Sequence, residues 1–320
     1  MLRGFAALGL LLTATLAQAA PADSQPDWRY TLRPGDTLIG LSQRYLAAPA
    51  RWPQLQKLNR IADPYRLVPG TTLRIPLAWL KQTPAPATVV AVAGQVTLIA
   101  PGAAARPLQA GEALPAGAQL ATAANSSATL RFADGSTLVL QPGARLTLDT
   151  VSVYAGGGMV DTRLRLQQGR VEVGANPRHV PGSRLQVITP SAVAAVRGTR
   201  FRVEADGRVA REETLEGAVG LGAAGQNVDV AAGQGSLAEL GKPPSLPVAL
   251  LPAPGLTGLP ARLDSLPLRF EFPALAGAER WVGQIAPDAR FEQVLLEKSA
   301  GTPQLTFADL PDGDYVLRVR

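Results

Sequence analysis

The fold of the N-terminal part of this chain is decided by residues 28–76, WRYTLRPGDTLIGLSQRYLAAPARWPQLQKLNRIADPYRLVPGTTLRIP. The pattern predicts a strand, two helices and a return strand over residues 72–76. Two Pro-Gly pairs, Pro34-Gly35 and Pro69-Gly70, lie close to the two strands and predict tight turns there. The segment is therefore expected to be a small α+β unit.

The first predicted helix begins after Asp36, which stands where an N-cap residue belongs. Leu38, Leu41 and Tyr45 then recur at helical spacing and are expected to face the core. The second helix is predicted to start near Trp52-Pro53, since proline is tolerated in the first turn of a helix. Its apolar face is expected to contain Leu55 and Leu58.

A set of aromatic, apolar, polar and glycine residues has a characteristic spacing in this segment: Tyr30, Leu32, Gly35, Asp36, Thr37, Leu38, Asn59, Leu67, Pro69, Gly70, Leu73, Ile75 and Pro76. In these residues the segment resembles a LysM domain, a module that binds N-acetylglucosamine-containing polymers such as peptidoglycan. The resemblance implies a βααβ fold over residues 27–77.

The same resemblance implies a shallow glycan-binding groove between two loops. The residues that it assigns to the groove are Gly35, Asp36, Thr37, Leu38 and Ile39 on one side, Leu67, Val68, Pro69 and Gly70 on the other, and Asn59 and Ile61 nearby. The chemistry agrees with this assignment, because N-acetyl sugars need amide donors and acceptors beside an apolar patch, and glycine loops expose their backbone.

Residues 1–19 have the pattern of a cleavable signal peptide. Arg3 precedes an apolar run over residues 5–17, and Ala17-Gln18-Ala19 is a small-x-small cleavage site. The run is shorter than the roughly 20 residues of a membrane span, although a signal anchor remains the alternative. We therefore expect an exported periplasmic protein with no integral membrane span.

The chain is basic, with a net charge of +6 and a pI near 10.0. Its basic residues are scattered and export is predicted, so nucleic acid is not an expected partner. Residues 28–80 alone contain eight Arg or Lys and two acidic residues. This local excess favours an anionic polymer such as the cell wall, through weak, salt-sensitive attraction.

Residue types exclude several chemistries. The chain has no cysteine and one histidine, His179, so it lacks the nucleophile of cysteine peptidases and the ligands of zinc endopeptidases. Glu212-Glu213 is interpreted as part of an exposed charged strand rather than as a catalytic pair. We expect no catalytic residue, no metal and no cofactor, and an unrecognised cell-wall hydrolase remains an alternative.

Residues 89–240, after a Pro/Ala linker at 78–88, predict an all-β domain. Runs such as Thr137–Leu140 and Arg163–Leu166 alternate apolar and polar residues, which indicates short strands with one buried face. Asp134-Gly135 lies between two such runs and predicts a hairpin. Gly220–Gly225 has the G-x-G-x-x-G spacing, but a strand pattern follows it, so a glycine-rich hairpin is predicted rather than a dinucleotide site. Either a sandwich or stacked coils of short strands fits the pattern.

The sharpest motif of this domain is TPSAVAAVRGTRF, residues 189–201. Together with Asp134-Gly135-Ser136, residues 215–219 and residues 232–234, it resembles a FecR-type periplasmic domain over roughly residues 114–238. The resemblance implies a β fold that binds an envelope protein, and a FecR-type signal-transduction regulator is an alternative function. Arg197-Gly198-Thr199 is either a recognition element or a tight turn between strands.

A Pro-rich linker at 241–262 leads to a third alternating pattern over 263–320. It predicts a partial immunoglobulin- or fibronectin-like β-sandwich of about five strands. The sequence as a whole thus predicts a multidomain protein: a βααβ LysM module, an all-β FecR-like domain and a partial sandwich. Its expected function is that of a non-catalytic scaffold or envelope sensor, held on peptidoglycan by the LysM module.

Overall fold

The computed structural model describes residues 27–178, 180–196, 198–255, 262–263 and 265–320. The predicted signal peptide at 1–19, His179 and Arg197 lie outside these residues. Within them, no helix is both long enough and apolar enough to cross a bilayer.

The N-terminal module, residues 27–80, has the predicted βααβ order. Its elements are β1 (Asp27–Thr31), α1 (Leu38–Tyr45), α2 (Trp52–Leu58) and β2 (Thr72–Pro76). The two strands pair antiparallel, with Thr31 opposite Thr72 and Asp27 opposite Pro76. Leu38, Leu41 and Leu55 are buried in the core of the module, as their helical spacing predicts.

Two details of the helices differ from the prediction. Thr37, rather than Asp36, is the N-cap of α1, and its hydroxyl accepts a hydrogen bond from the Gly40 amide at 3.0 Å. Leu58 is 38 % exposed and does not continue the apolar face of α2. The core of this module is small, and Leu55 is the residue of α2 that is buried in it.

Residues 78–88, predicted to be a linker, are tied into both neighbouring domains. The Ala47 amide donates to the Trp79 carbonyl at 2.8 Å, and the Lys81 amide donates to the Tyr45 carbonyl at 2.8 Å. The stretch also contains β3 (Gln82–Pro84), which pairs with a strand of the next domain. Its Pro/Ala composition is explained by this position at the edge of a sheet, where proline is tolerated.

The central domain is entirely β in its described residues. After β3 its strands are β4 (Ala87–Ala93), β5 (Val96–Ile99), β6 (Arg106–Pro107), β7 (Ala113–Leu114), β8 (Gln119–Thr122), β9 (Ser127–Arg131), β10 (Thr137–Leu140), β11 (Arg145–Tyr154), β12 (Val160–Gly174), β13 (Arg184–Ile188), β14 (Val193–Val196), β15 (Arg200–Ala205), β16 (Val209–Glu216), β17 (Ala218–Ala223), β18 (Gln226–Ala231), β19 (Gln234–Glu239) and β20 (Val248–Ala249).

These strands form two sheets that share β12 and close on each other. One sheet has the order β6-β5-β8-β11-β12-β13-β14-β17-β18, and β3 also pairs with β11. The other has the order β7-β4-β9-β10-β12-β15-β16-β19-β20. Apolar side chains from both sheets fill one core between them, which agrees with the predicted all-β domain.

Local predictions in this domain are confirmed. Asp134-Gly135 connects β9 to β10, which pair antiparallel with Leu130 opposite Leu138. Gly220–Gly225 belongs to the hairpin of β17 and β18, so a strand rather than a helix comes directly after it. Alternation of buried and partly exposed residues is clear in β15 and β17, where every second residue faces the core.

The core of the N-terminal module continues into the central domain. Leu77 and Leu80 of the module share one buried cluster with Tyr154 and Met159, which flank the turn between β11 and β12. In the same turn, a Cβ on Gly156 would lie 2.4 Å from the ring of Trp28. The two units are therefore packed directly against each other.

The C-terminal unit contains β21 (Leu268–Glu271), β22 (Trp281–Ala286), β23 (Leu296–Ala300), β24 (Gln304–Phe307) and β25 (Val316–Val319). One sheet pairs β21 with β24, and the other has the order β23-β22-β25. The two sheets enclose a common apolar core that includes Phe270 and Phe307. Five strands agree with the predicted number, while the immunoglobulin-like or fibronectin-like topology remains a prediction.

Polar contacts attach the C-terminal unit to the central domain. Arg318 of β25 reaches Glu172 of β12 at 3.0 Å, and Arg170 of β12 pairs with Glu297 of β23. The Ser127 hydroxyl both donates to the Val294 carbonyl at 2.9 Å and accepts from its amide at 3.0 Å. All six residues of β22, the middle strand of its sheet, are buried.

Candidate functional site

Two turns of the N-terminal module have the same construction. The Asp36 amide donates to the Arg33 carbonyl at 3.1 Å, and the Thr71 amide donates to the Val68 carbonyl at 3.2 Å. Each turn has proline at its second position and a glycine with φ of 85° or 86° at its third, Gly35 and Gly70. These features define type II turns, which need glycine at the third position because its φ is positive.

The fold brings the two turns together. The Gly70 amide donates to the Leu32 carbonyl at 2.8 Å, and the Leu32 amide donates to the Thr71 carbonyl at 2.9 Å. These bonds extend the ladder of β1 and β2 by one step, so both turns lie at the same end of that ladder. A Cβ built on either glycine meets no atom within 4 Å. The turns therefore present open backbone surface.

Asp36 holds the first turn in shape. Its carboxylate accepts hydrogen bonds from the Tyr30 hydroxyl and from the Arg33 amide, both at 2.8 Å. Burial, followed by this bond to Asp36, raises the pKa of Tyr30 to about 12. The hydroxyl of Tyr30 thus stays protonated at neutral pH and remains a donor to Asp36. Asp36, one of the predicted groove residues, therefore stabilises the first turn.

Leu38 and Ile39 have different environments. Leu38 is fully buried, so its side chain belongs to the core and cannot line a groove. Ile39 is half-buried beside it, and Thr37 is exposed although its hydroxyl caps the helix. Among the side chains of residues 37–39, those of Thr37 and Ile39 are accessible to a ligand.

Asn59 connects the end of α2 to β2. Its side-chain amide donates to the carbonyls of Leu55 and Arg74, each at 2.9 Å, and its carbonyl oxygen accepts from the Arg74 amide at 2.7 Å. Both donors of the side chain are occupied. The position predicted to lie near the groove is therefore primarily a clamp between two elements.

The second loop offers a mostly accessible surface. Ile61 and Leu67 are half-buried against the core of the module, whereas Val68 is 68 % exposed and Pro69 and Gly70 are exposed. Sequence reasoning missed Tyr65, which is 71 % exposed. Its amide donates to the Asp63 carboxylate at 2.9 Å, as in an Asx turn. The Asp-Pro pair before Tyr65 was the available signal for this turn.

The two loops are equipped for binding rather than for proton transfer. Their acidic residues, Asp36 and Asp63, are already engaged by neighbouring amides or hydroxyls. The open backbone at Gly35 and Gly70 and the accessible apolar side chains of Ile39 and Val68 remain for a ligand. Such groups match the amide and methyl of an N-acetyl sugar and require no acid–base pair.

Glu212 and Glu213 of the central domain do not point toward a common site. Glu212 is 1 % exposed, which corrects the prediction that it lies in an exposed strand. Glu213 is its neighbour on β16 and therefore points to the other face, where it pairs with Arg202 at 3.2 Å. Alternation along β16 places Glu212 in the core with Ala210 and Thr214.

The 189–201 motif contributes to the core and to one cleft. The hydroxyl of Thr189 accepts from the Ala192 amide at 2.9 Å and so closes a tight turn before β14. A cleft of about 400 Å³ lies where several strands end. Its lining comprises Gly135, Gly174, Ala175, Asn176, Pro177, Gly198, Thr199, Arg200 and Glu216. Arg200 is held by Glu172 at 2.7 Å.

Comparison with known families agrees with this architecture. Residues 30–76 match the LysM domain family, and residues 118–220 match the FecR protein family. The chain therefore contains a LysM domain followed by a FecR domain. Both are families of binding or regulatory domains. Among curated proteins, none matches the sequence.

Solved structures provide a more distant likeness. Two crystal structures of a candidate anti-sigma factor from Parabacteroides distasonis align with 13 % identity and a TM-score of 0.34. Each alignment covers 41 % of this chain and 59 % of the other chain. At this TM-score the likeness carries no weight for fold or function.

Proposed function

We propose that this protein is an exported, non-catalytic, peptidoglycan-binding protein of the bacterial envelope. Its LysM domain holds the central and C-terminal β units at the cell wall, where they bind an envelope protein or respond to the state of the envelope. The observation that carries this proposal is the pair of open type II turns, whose backbone groups lie side by side in a LysM domain.

Cosedimentation with purified sacculi tests the proposal. We expect the wild-type protein to pellet at low salt and the double variant Gly35→Gln/Gly70→Gln to remain in the supernatant, because side chains would fill the open surface of both turns. Each substitution also strains a backbone with positive φ, at a cost of about 1–2 kcal/mol.

A matched control isolates this steric effect. Gly111 and Gly207 have φ of 84° and 87°, have no atom within 4 Å of a Cβ, and lie in the central domain. Gly111→Gln/Gly207→Gln introduces the same strain away from the turns and should pellet like the wild type. If the wild type stays in solution at low salt, or if both double variants pellet equally, the turns are not the binding site.

Catalysis on the wall is tested separately by zymography on a cell-wall substrate. We expect no clearing, since the carboxylates of the two loops are engaged, the sequence has no cysteine nucleophile, and its single histidine cannot supply the ligands of a zinc endopeptidase. A clear zone given by the purified protein would overturn the non-catalytic assignment.

A regulatory role is a second candidate, which the match to the FecR family favours. In that case, deletion of the gene would change the transcription of a defined set of genes, and full-length protein would restore it. Complementation by the Gly35→Gln/Gly70→Gln variant then distinguishes the roles: a regulator that does not need the wall restores transcription, whereas one that acts from the wall does not.

A further inference from the structure

The N-terminal module has an excess of positive charge that its own acidic residues do not neutralise. Over residues 27–80 there are eight Arg or Lys and three Asp. Asp27 pairs with Arg74 at 2.6 Å. Asp36 and Asp63 are engaged within their own turns, as described above. Among residues 27–80 as the structure describes them, Asp27–Arg74 is therefore the one ion pair between a basic and an acidic side chain.

Three arginines of this excess lie on the two loops that form the proposed site. Arg33 is the first residue of the Pro34-Gly35 turn, Arg60 begins the loop after α2, and Arg66 precedes Leu67. We call Arg33, Arg60 and Arg66 the arginine rim. All three are exposed, and within the described residues none has a carboxylate within 4 Å. Arg33 lies 6.0 Å from the ring centroid of Tyr30.

Other cations of the module have internal contacts or different locations. Arg44 stacks over the ring of Tyr45 at 5.7 Å, and Arg51 stacks over the ring of Trp79 at 5.7 Å. Arg29 lies on β1, outside both loops. The arginine rim thus differs from these other cations because it lies on the two loops of the proposed site.

We propose that the arginine rim binds carboxylates carried by the glycan, so that the module prefers anionic peptidoglycan to a neutral N-acetylglucosamine polymer. This inference rests on the proposed function and specifies its substrate class. An N-acetyl sugar is neutral, and its recognition by backbone amides needs no cation. Guanidinium groups, in contrast, match carboxylates with paired N–H donors.

The carboxylates have two chemical sources in peptidoglycan. One is the peptide attached to the sugar, which ends in carboxylates or contains acidic residues. The other is the lactyl group of the sugar itself, which becomes a free carboxylate when the peptide is removed. Either source would lie beside a glycan strand that is bound at the two turns, within reach of long side chains.

The test compares untreated sacculi with sacculi whose carboxylates have been converted to amides by carbodiimide and ammonia. We expect the full-length wild type to bind untreated sacculi about tenfold more tightly at low salt, since three exposed ion pairs of modest strength are lost on amidation. The difference should disappear at about 0.5 M salt, where exposed charges are screened.

Two triple variants with the same change in net charge locate the effect. Arg33→Gln/Arg60→Gln/Arg66→Gln should bind both kinds of sacculi equally, at the level of the wild type on amidated sacculi. Arg29→Gln/Arg44→Gln/Arg51→Gln should keep the preference of the wild type. Glycan strands stripped of peptide by an amidase compare the two sources: tighter binding to stripped strands than to their amidated form shows that free lactyl carboxylates are also recognised, and equal binding assigns the preference on sacculi to the peptide carboxylates.

The outcomes separate this inference from the proposed function. If the wild type binds amidated and untreated sacculi equally well, or if the two triple variants lose the preference equally, the rim is not a carboxylate site although the module still binds the wall. If the wild type binds neither kind, the proposed function fails, and the substrate preference fails with it.

Discussion

Glu212 is a carboxylic acid in the core of the central domain. One carboxylate oxygen accepts from the Thr214 hydroxyl at 2.8 Å, and the other is buried without a hydrogen-bond partner in the described residues. Burial raises the pKa of Glu212 to about 7, the neighbouring charge of Glu213 adds to this rise, and the bond from Thr214 opposes it. The folded state therefore favours the protonated acid.

This pKa makes the stability of the protein depend on pH. Because the folded pKa lies above the unfolded value of 4.5, the stabilising effect is complete below about pH 4.5 and is lost as the pH rises through 7. We expect the free energy of unfolding of the wild type, relative to that of Glu212→Gln, to fall by up to about 3 kcal/mol between pH 5 and pH 8. Denaturant unfolding at several pH values measures it.

Glu216→Gln is the control for this prediction, because Glu216 is exposed at the end of the same strand. It should retain the pH dependence of the wild type. If the wild type and Glu212→Gln have parallel pH profiles, Glu212 has the same pKa in the folded and the unfolded protein. That result would contradict the raised pKa assigned to the folded state.

Glu172 shows the opposite behaviour at a comparable level of exposure. Burial alone would raise its pKa, but the guanidinium groups of Arg318, Arg202 and Arg200 hold the pKa at about 2. Its carboxylate is therefore charged throughout the range in which Glu212 titrates. The difference between the two residues is the presence of charged partners, and a sequence does not display such partners.

At the scale of elements, Asn59 fixes the relation between α2 and β2. Asn59→Ala removes three hydrogen bonds and should destabilise the N-terminal module by about 2–3 kcal/mol. Thermal unfolding measures this loss. If Asn59 acts only as a clamp, the folded variant should bind sacculi as the wild type does well below its melting temperature.

Asn59→Asp provides the contrast for this prediction. It keeps the acceptor for the Arg74 amide but turns a carboxylate oxygen toward the carbonyls of Leu55 and Arg74, so its loss of stability should be at least as large as that of Asn59→Ala. A variant of unchanged stability with weaker binding to sacculi would instead show that Asn59 contacts the ligand directly.

The strands and turns were the most predictable elements. Period-two alternation identified β10 and part of β12, and the Asp-Gly and Pro-Gly pairs identified turns, because these signals depend on local backbone geometry. The N-cap of α1 was misplaced by one residue, since Asp36 and Thr37 are both good caps. The bond from Tyr30 that diverts Asp36 comes from another element.

Local sequence patterns say least where distant segments decide the environment of a residue. The composition of residues 78–88 indicates a linker, yet their partners are Tyr45 and a strand more than sixty residues further along. Leu38 matches the groove by its position in a motif, but packing places its side chain in the core. A local pattern cannot show which face of a small module has room for a ligand.

At the scale of the whole molecule, the three units are held by different forces. An apolar cluster joins the N-terminal module to the central domain, whereas arginine–glutamate pairs and serine hydrogen bonds join the C-terminal unit to it. The structure thus presents the two Pro-Gly turns at a fixed orientation to the β units. A glycan bound there would orient the rest of the protein on the wall.

Gly156 tests how the module is held. A Cβ at Gly156 would lie 2.4 Å from the ring of Trp28, so Gly156→Val should displace that ring and weaken the contact by about 1–3 kcal/mol. We expect small-angle scattering to show a larger maximum dimension, and thermal unfolding to separate into two transitions.

Gly158→Val is the control, since Gly158 also has a positive φ, of 69°, but has open space around its Cβ. It introduces backbone strain without the clash and should keep the compact form. Equal expansion of both variants would show that strain in the turn, rather than packing of Trp28, controls the contact.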